Sequence, residues 1–137
     1  MSTYKLDAQV GYLLRLASQR HTALFQEVVP FGLTPTQFAA LVKLAEIGEC
    51  SQNELGRRTA MDVATIKGVV ERLIKKGLAV ARPDPNDKRR SLLSIPPDRI
   101  GMVPTLYEAG EKITRLTLSP LSAAEQKTLL RLLAKLG

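Results

Sequence analysis

Three consecutive cations, Lys88-Arg89-Arg90, end a run of turn-forming residues, Pro83-Asp84-Pro85-Asn86-Asp87. A guanidinium is a planar fork of donors and an ammonium a compact point charge, and both suit phosphate oxygens. Asp87 stands where it can hold one of the guanidiniums by a bidentate pair. Upstream, the stretch 62–68 (Asp-Val-Ala-Thr-Ile-Lys-Gly) reads as a helix start with small and polar side chains facing outward. Thr65, Lys67 and Arg72 from such a helix reach base edges or phosphates, and Gly68 permits close backbone approach. Ser51 and Gln52 open another helix, where free N–H groups favour a phosphate. The chemistry these types share is recognition of a polyanion.

The charge distribution agrees. The 137 residues carry 20 Lys and Arg against 13 Asp and Glu, for a net charge of +7. Residues 51–90 hold ten cations and five acids, whereas 1–50 hold four of each and 91–137 six and four. An excess gathered in the middle third is an electrostatic footprint for nucleic acid, although charge alone is equally compatible with a solvated surface.

Apolar residues recur at three- and four-residue spacings over 7–29, marking a long amphipathic helix ended by Pro30-Phe31-Gly32. Thr34-Pro35-Thr36-Gln37 is an N-cap, a proline at the first helical position and a reciprocal Gln; Gly48 stops that second helix. Ser51 and Glu54 form a second capping box for a short helix reaching about residue 59, and Asp62 caps a fourth helix ending at Gly77. Residues 78–82 and 91–95 read as two strands of a hairpin with an exposed basic tip between them. Helix is expected again over 98–118, kinked at Pro104, and a third capping box, Ser122 to Glu125, opens the last helix. The fold class is mainly α with a small β-hairpin wing (α+β), in the order ααααββαα.

Several function classes drop out. Cys50 is the only cysteine and His21 the only histidine, too few soft ligands for a structural zinc site. Nothing in the sequence brings them together as a catalytic dyad, and there is no phosphate-cradling glycine loop, so an enzyme is not expected and no cofactor is implied. A lone cysteine fits a reducing cytosol. No apolar run approaches the roughly 20 residues a membrane span requires, and the first ten residues lack a cationic cap followed by an apolar block. A cytoplasmic protein without a membrane partner is the expectation.

Short helices at 34–47, 51–59 and 62–76 followed at once by a basic hairpin match the plan of a winged helix-turn-helix. The chain resembles the MarR family of bacterial transcriptional regulators. The residues that carry the resemblance are Leu33-Thr34-Pro35-Thr36-Gln37-Phe38, Leu73-Ile74-Lys75-Lys76-Gly77-Leu78, the wing Asp84-Pro85-Asn86-Asp87-Lys88-Arg89 and Leu121-Ser122-Ala123-Ala124-Glu125. After Ile95, the family's usual Thr and, three positions on, Gly are replaced by Pro96 and Arg99. The resemblance implies one domain over 1–137, with dimerisation helices at 1–32 and 98–137 around a winged lobe at 33–97. It also implies a homodimeric repressor on a pseudo-palindromic operator, released by a phenolic or aromatic carboxylate, with a link to aromatic-compound catabolism. Apolar stripes on the first and last helices support a dimer independently, which spaces half-sites about 34 Å apart.

The resemblance further places an effector between the dimer helices and the winged lobe. Arg20 or His21 would meet its carboxylate there, and Tyr12 and Phe38 its ring, with Arg15 nearby. The competing reading is that Arg15 and Arg20 are solvated cations and His21 a hydrogen-bonded helix residue. Arg82, at the entry to the wing, fits either a phosphate contact or the rim of that pocket. Two alternative functions remain: a thiol-based redox sensor using Cys50, and a winged helix that only contacts proteins.

Overall fold

Capping chemistry sets the helix starts in the computed structural model, which describes residues 2–137. Thr34 Oγ1 accepts from the Gln37 amide and the Gln37 side chain accepts in return from the Thr34 amide, opening α2 (Pro35–Ile47). Ser122 and Glu125 repeat the device at α6 (Ala123–Leu136). At α3 (Gln52–Arg58) the box is one-sided: Ser51 Oγ accepts from the Glu54 amide, but the Glu54 carboxylate takes Arg58 instead. Asp62 caps α4 (Val63–Lys75) as expected. That helix ends at Gly77, whose φ of 75° lets the Leu78 amide donate back to the Leu73 carbonyl.

The chain forms two compact units. One spans Pro30–Glu108 and contains α2, α3, α4 and a three-stranded antiparallel sheet. Its strands are β1 (Glu49–Ser51), β2 (Val80–Asp84) and β3 (Asp87–Ser94), in the order β1-β3-β2. Leu41, Leu44, Leu55, Ile66 and Leu73 are fully buried at the centre of this unit. The other unit combines the segment ending at Val29 with Ala109–Gly137, and holds α1 (Val10–Val28), the second half of α5 (Val103–Leu118) and α6. No described helix is long and apolar enough to cross a membrane.

The elements depart from the expectations in several places. The two compact units divide at 29/30 and 108/109, and Met102 and Leu106, both buried, fall in the winged one. Strand β1 was invisible in the sequence, since three residues carry no readable alternation. Both wing strands run into the expected tip, so the hairpin turns on Pro85 and Asn86 alone and Lys88, Arg89 and Arg90 are strand residues. The fifth helix begins later: residues Pro97–Met102 form a 3-10 turn, closed by the Arg99 amide on the Pro96 carbonyl. Pro104 is therefore the second residue of α5, in the first turn where no backbone donor is missed, and it produces no kink. The first helix is likewise shorter than expected, with a 3-10 turn at Leu6–Ala8 before it.

Candidate nucleic-acid interface

Helix α4 sorts its side chains by solvent. Ile66, Val69, Val70 and Leu73 are buried, whereas Val63, Thr65, Lys67 and Arg72 are exposed. At about 1.5 Å per residue its 13 residues span roughly 20 Å, and such a rod fits a major groove about 12 Å wide. Asp62 Oδ1 accepts from the Thr65 amide at 2.7 Å, which fixes the first turn and holds the Asp62 carboxyl below its usual range. The turn before α4 is tight. A Cβ on Gly56 would lie 3.1 Å from Ile66 Cγ2 and 3.2 Å from the Met61 carbonyl oxygen. Ala60 adopts a left-handed φ of 55° to make the corner.

Carboxylates brace the wing from inside. Asp84 is only 3% exposed; its Oδ2 accepts from Arg90 Nε at 2.6 Å and its Oδ1 from the Asn86 amide at 2.8 Å. Asp87 holds Arg89 as the sequence indicated: Oδ1 accepts from its Nε at 3.1 Å, Oδ2 from Nη2 at 3.4 Å. The Arg90 guanidinium holds the Asp84 carboxyl below the ordinary carboxylate range, and the Arg89 guanidinium does the same for Asp87. Arg89 remains 91% exposed and Lys88 is exposed beside it. In the sequence Asp84 stands only as one of the turn formers of the wing; that its carboxylate braces Arg90 as well as the turn is visible only in the structure.

A groove of about 460 Å³ lies between the start of α3, one side of α4 and β3. It gathers Ser51, Gln52 and Arg90 of the expected contacts, but not Thr65, Lys67, Gly68, Arg72, Lys88 or Arg89, which lie outside its lining. Ser51 is buried and its hydroxyl serves as the α3 cap, so its side chain is not free for phosphate. Gly68 is flanked by Arg72, whose Nη1 donates to the Gly68 carbonyl at 3.4 Å. Arg57, absent from the sequence reading, lines the same groove as an exposed cation.

The six residues assigned to an effector divide between the units. Tyr12, Arg15, Arg20 and His21 belong to the terminal-helix unit; Phe38 and Arg82 belong to the winged one. Arg15 stacks over the Tyr12 ring at 5.5 Å. Arg20 Nη2 donates to the Leu116 carbonyl at 2.8 Å, tying α1 to the end of α5, and His21 Nδ1 lies 2.9 Å from Thr117 Oγ1. Arg82 is held by Glu49, with Nε on Oε2 and Nη2 on Oε1, both at 2.7 Å. Cys50 is 2% exposed, and burial pushes its thiol pKa up, the opposite of what a reactive thiolate requires.

Known proteins bear on this geometry. A family model described as MarR family matches residues 31–90. The HTH-type transcriptional repressor NicR of Pseudomonas putida is 39% identical over 134 residues, 97% of this chain and 85% of that protein. A crystal structure of a probable transcriptional regulator from Pseudomonas aeruginosa is 53% identical and superimposes with a TM-score of 0.93, over 97% of this chain and all of that one (100%). Bordetella bronchiseptica BpsR, solved to explain regulation of its DNA binding by 6-hydroxynicotinic acid, is 39% identical with a TM-score of 0.90, over 98% of this chain and 97% of that one. The family match over the winged unit, together with 39% identity to NicR over 97% of the chain, establishes that the chain belongs to the MarR family of DNA-binding transcriptional regulators.

Proposed function

We propose that two copies of this chain form a cytoplasmic repressor that grips a pseudo-palindromic operator and releases it when a small aromatic carboxylate binds. The observation that carries the DNA-binding part is one unit presenting both the exposed polar start of α4 and a strand of exposed cations, Lys88 and Arg89. Thr65 and Lys67 take base edges, while Lys88, Arg89 and Arg90 take the flanking backbone.

Dimerisation is supported by what the terminal helices leave uncovered. Helix α6 has no buried residue and α1 has only Phe25, while Val10, Leu13, Leu14, Leu130, Leu133 and Leu136 are exposed. An isolated helix of this length is marginal in water, and its stability must come from apolar packing. A second copy supplies that packing and sets two reading helices about one DNA turn apart.

The effector class is supported by BpsR, whose DNA binding responds to 6-hydroxynicotinic acid. In this chain, His21 and Thr117 are among the polar groups of an otherwise apolar cavity of about 380 Å³ walled by Leu14, Leu118, Leu130 and Leu133. That volume suits a single-ring acid. His21 meets the carboxylate in this reading; Arg20 and Arg82 are already committed to Leu116 and Glu49. Leu14, Leu130 and Leu133 belong both to this cavity and to the proposed dimer face, so an occupant biases the subunit junction.

Fluorescence anisotropy on a duplex from the protein's own upstream region, titrated with 6-hydroxynicotinic acid and single-ring hydroxybenzoates, tests the reading. Release by one of these acids supports it, with His21→Ala keeping near-wild-type operator affinity and responding weakly. Operator binding that ignores every acid tried overturns the effector assignment, and a normal response from His21→Ala overturns the placement.

A further inference from the structure

The Glu49–Arg82 pair joins the two edges of the sheet. Strands β1 and β2 do not pair with each other; both pair with β3, so Glu49 aligns with Ser94 and Val80, and Ser51 with Leu92 and Arg82. Neighbouring strands are about 4.8 Å apart, so the two edges stand roughly 10 Å apart. The bridge closes that distance over the outer face of β3, diagonally between the two rows, with both carboxylate oxygens engaged at 2.7 Å. Bidentate guanidinium–carboxylate pairs fix orientation as well as proximity. The two ends differ in what they are attached to. Glu49 sits two residues before Ser51, which is both the end of β1 and the cap of α3, while Arg82 lies in the strand that leads into the wing turn.

We propose that Glu49 and Arg82 are positioning residues for DNA binding, a clasp that sets the angle of the wing against the helix-turn-helix so that Lys88 and Arg89 meet the backbone while α4 lies in the groove. A two-stranded ribbon joined to its domain mainly through β3 is free to twist, and a tie across both edges removes that freedom. Arg82 therefore acts on DNA through Glu49 and not as a phosphate ligand of its own. The inference rests on the wing's role proposed above.

Glu49→Gln tests it, because it breaks the clasp while leaving the charge of Arg82 in place. Operator affinity is measured across a salt series, beside Arg89→Ala and the charge-reversed pair Glu49→Arg with Arg82→Glu. The expected result is weaker binding with a log–log salt slope shallower by about 2, as one wing contact per protomer is lost. Far-UV circular dichroism of the folded variant stays unchanged, and the charge-reversed pair recovers affinity. Unchanged affinity and slope in Glu49→Gln while Arg89→Ala binds weakly overturns the clasp alone. Tighter binding with a steeper slope also overturns it, by showing that Glu49 merely masks a phosphate ligand. If Glu49→Gln fails to fold, the charge-reversed pair decides: weak binding by that folded variant overturns the clasp. Wild-type binding by Arg89→Ala removes the wing reading itself.

Discussion

Replacing Arg89 with Ala removes the most exposed guanidinium of the wing, whose ionic partner is Asp87 on the same strand. The side chain is 91% exposed, so its loss opens no cavity and the fold stays intact. Its effect on DNA is electrostatic and can be worked out. Each neutralised phosphate contributes about 0.9 to the slope of log affinity against log salt, so one contact from each of two protomers contributes about 1.8. Between 50 and 200 mM salt that difference alone changes the wild-type to variant affinity ratio by about twelvefold. The expected picture is a variant that loses most at low salt and converges on wild type at high salt. It remains a dimer and discriminates operator from random duplex as before, since phosphate contacts position without reading sequence. Anisotropy titrations at four salt concentrations on both duplexes measure all of this. A variant parallel to wild type across the series, or one that loses operator preference with an unchanged slope, refutes the assignment of Arg89 to phosphate.

Three further outcomes are expected. Gly56→Ala forces a methyl against Ile66 and the Met61 carbonyl, so chemical denaturation should show a loss of about 1–3 kcal/mol together with weaker operator binding. Ala60→Gly relieves a left-handed residue at the corner before α4; thermal unfolding should shift upward by a gain of about 0.5–1 kcal/mol with DNA affinity unchanged. Asp84 and Asp87 keep depressed carboxyl pKa values in the folded chain, so their contribution is complete above the unfolded value of about 4 and is lost as pH falls through the folded values. Acid titration of Asp84→Asn should show less stability at neutral pH and a shallower decline below pH 4 than wild type.

What was legible in the sequence was local. Thr34 with Gln37, Ser122 with Glu125, and Asp62 before its helix announce themselves within four residues, and the structure shows all three caps. Asp87 and Arg89, two positions apart on one strand face, are equally local. The misses are pairings over distance or competitions between partners. Glu49 and Arg82 are 33 positions apart and meet only because β3 lies between their strands. Arg20 reaches the end of α5, 96 positions on, so a cation that reads as available is occupied. Ser51 stands at a helix start, as read, but its hydroxyl serves the backbone and leaves none for a phosphate. Pro104 reads as a kink only if the fifth helix is begun five residues too early.

Sedimentation of the protein on a labelled duplex from its own upstream region, at low ionic strength, is the most direct measurement. Two protomers on one operator make a complex heavier than free duplex by about 30 kDa, twice the 15.0 kDa chain. A complex heavier by one chain alone, or a duplex that sediments unchanged, contradicts it.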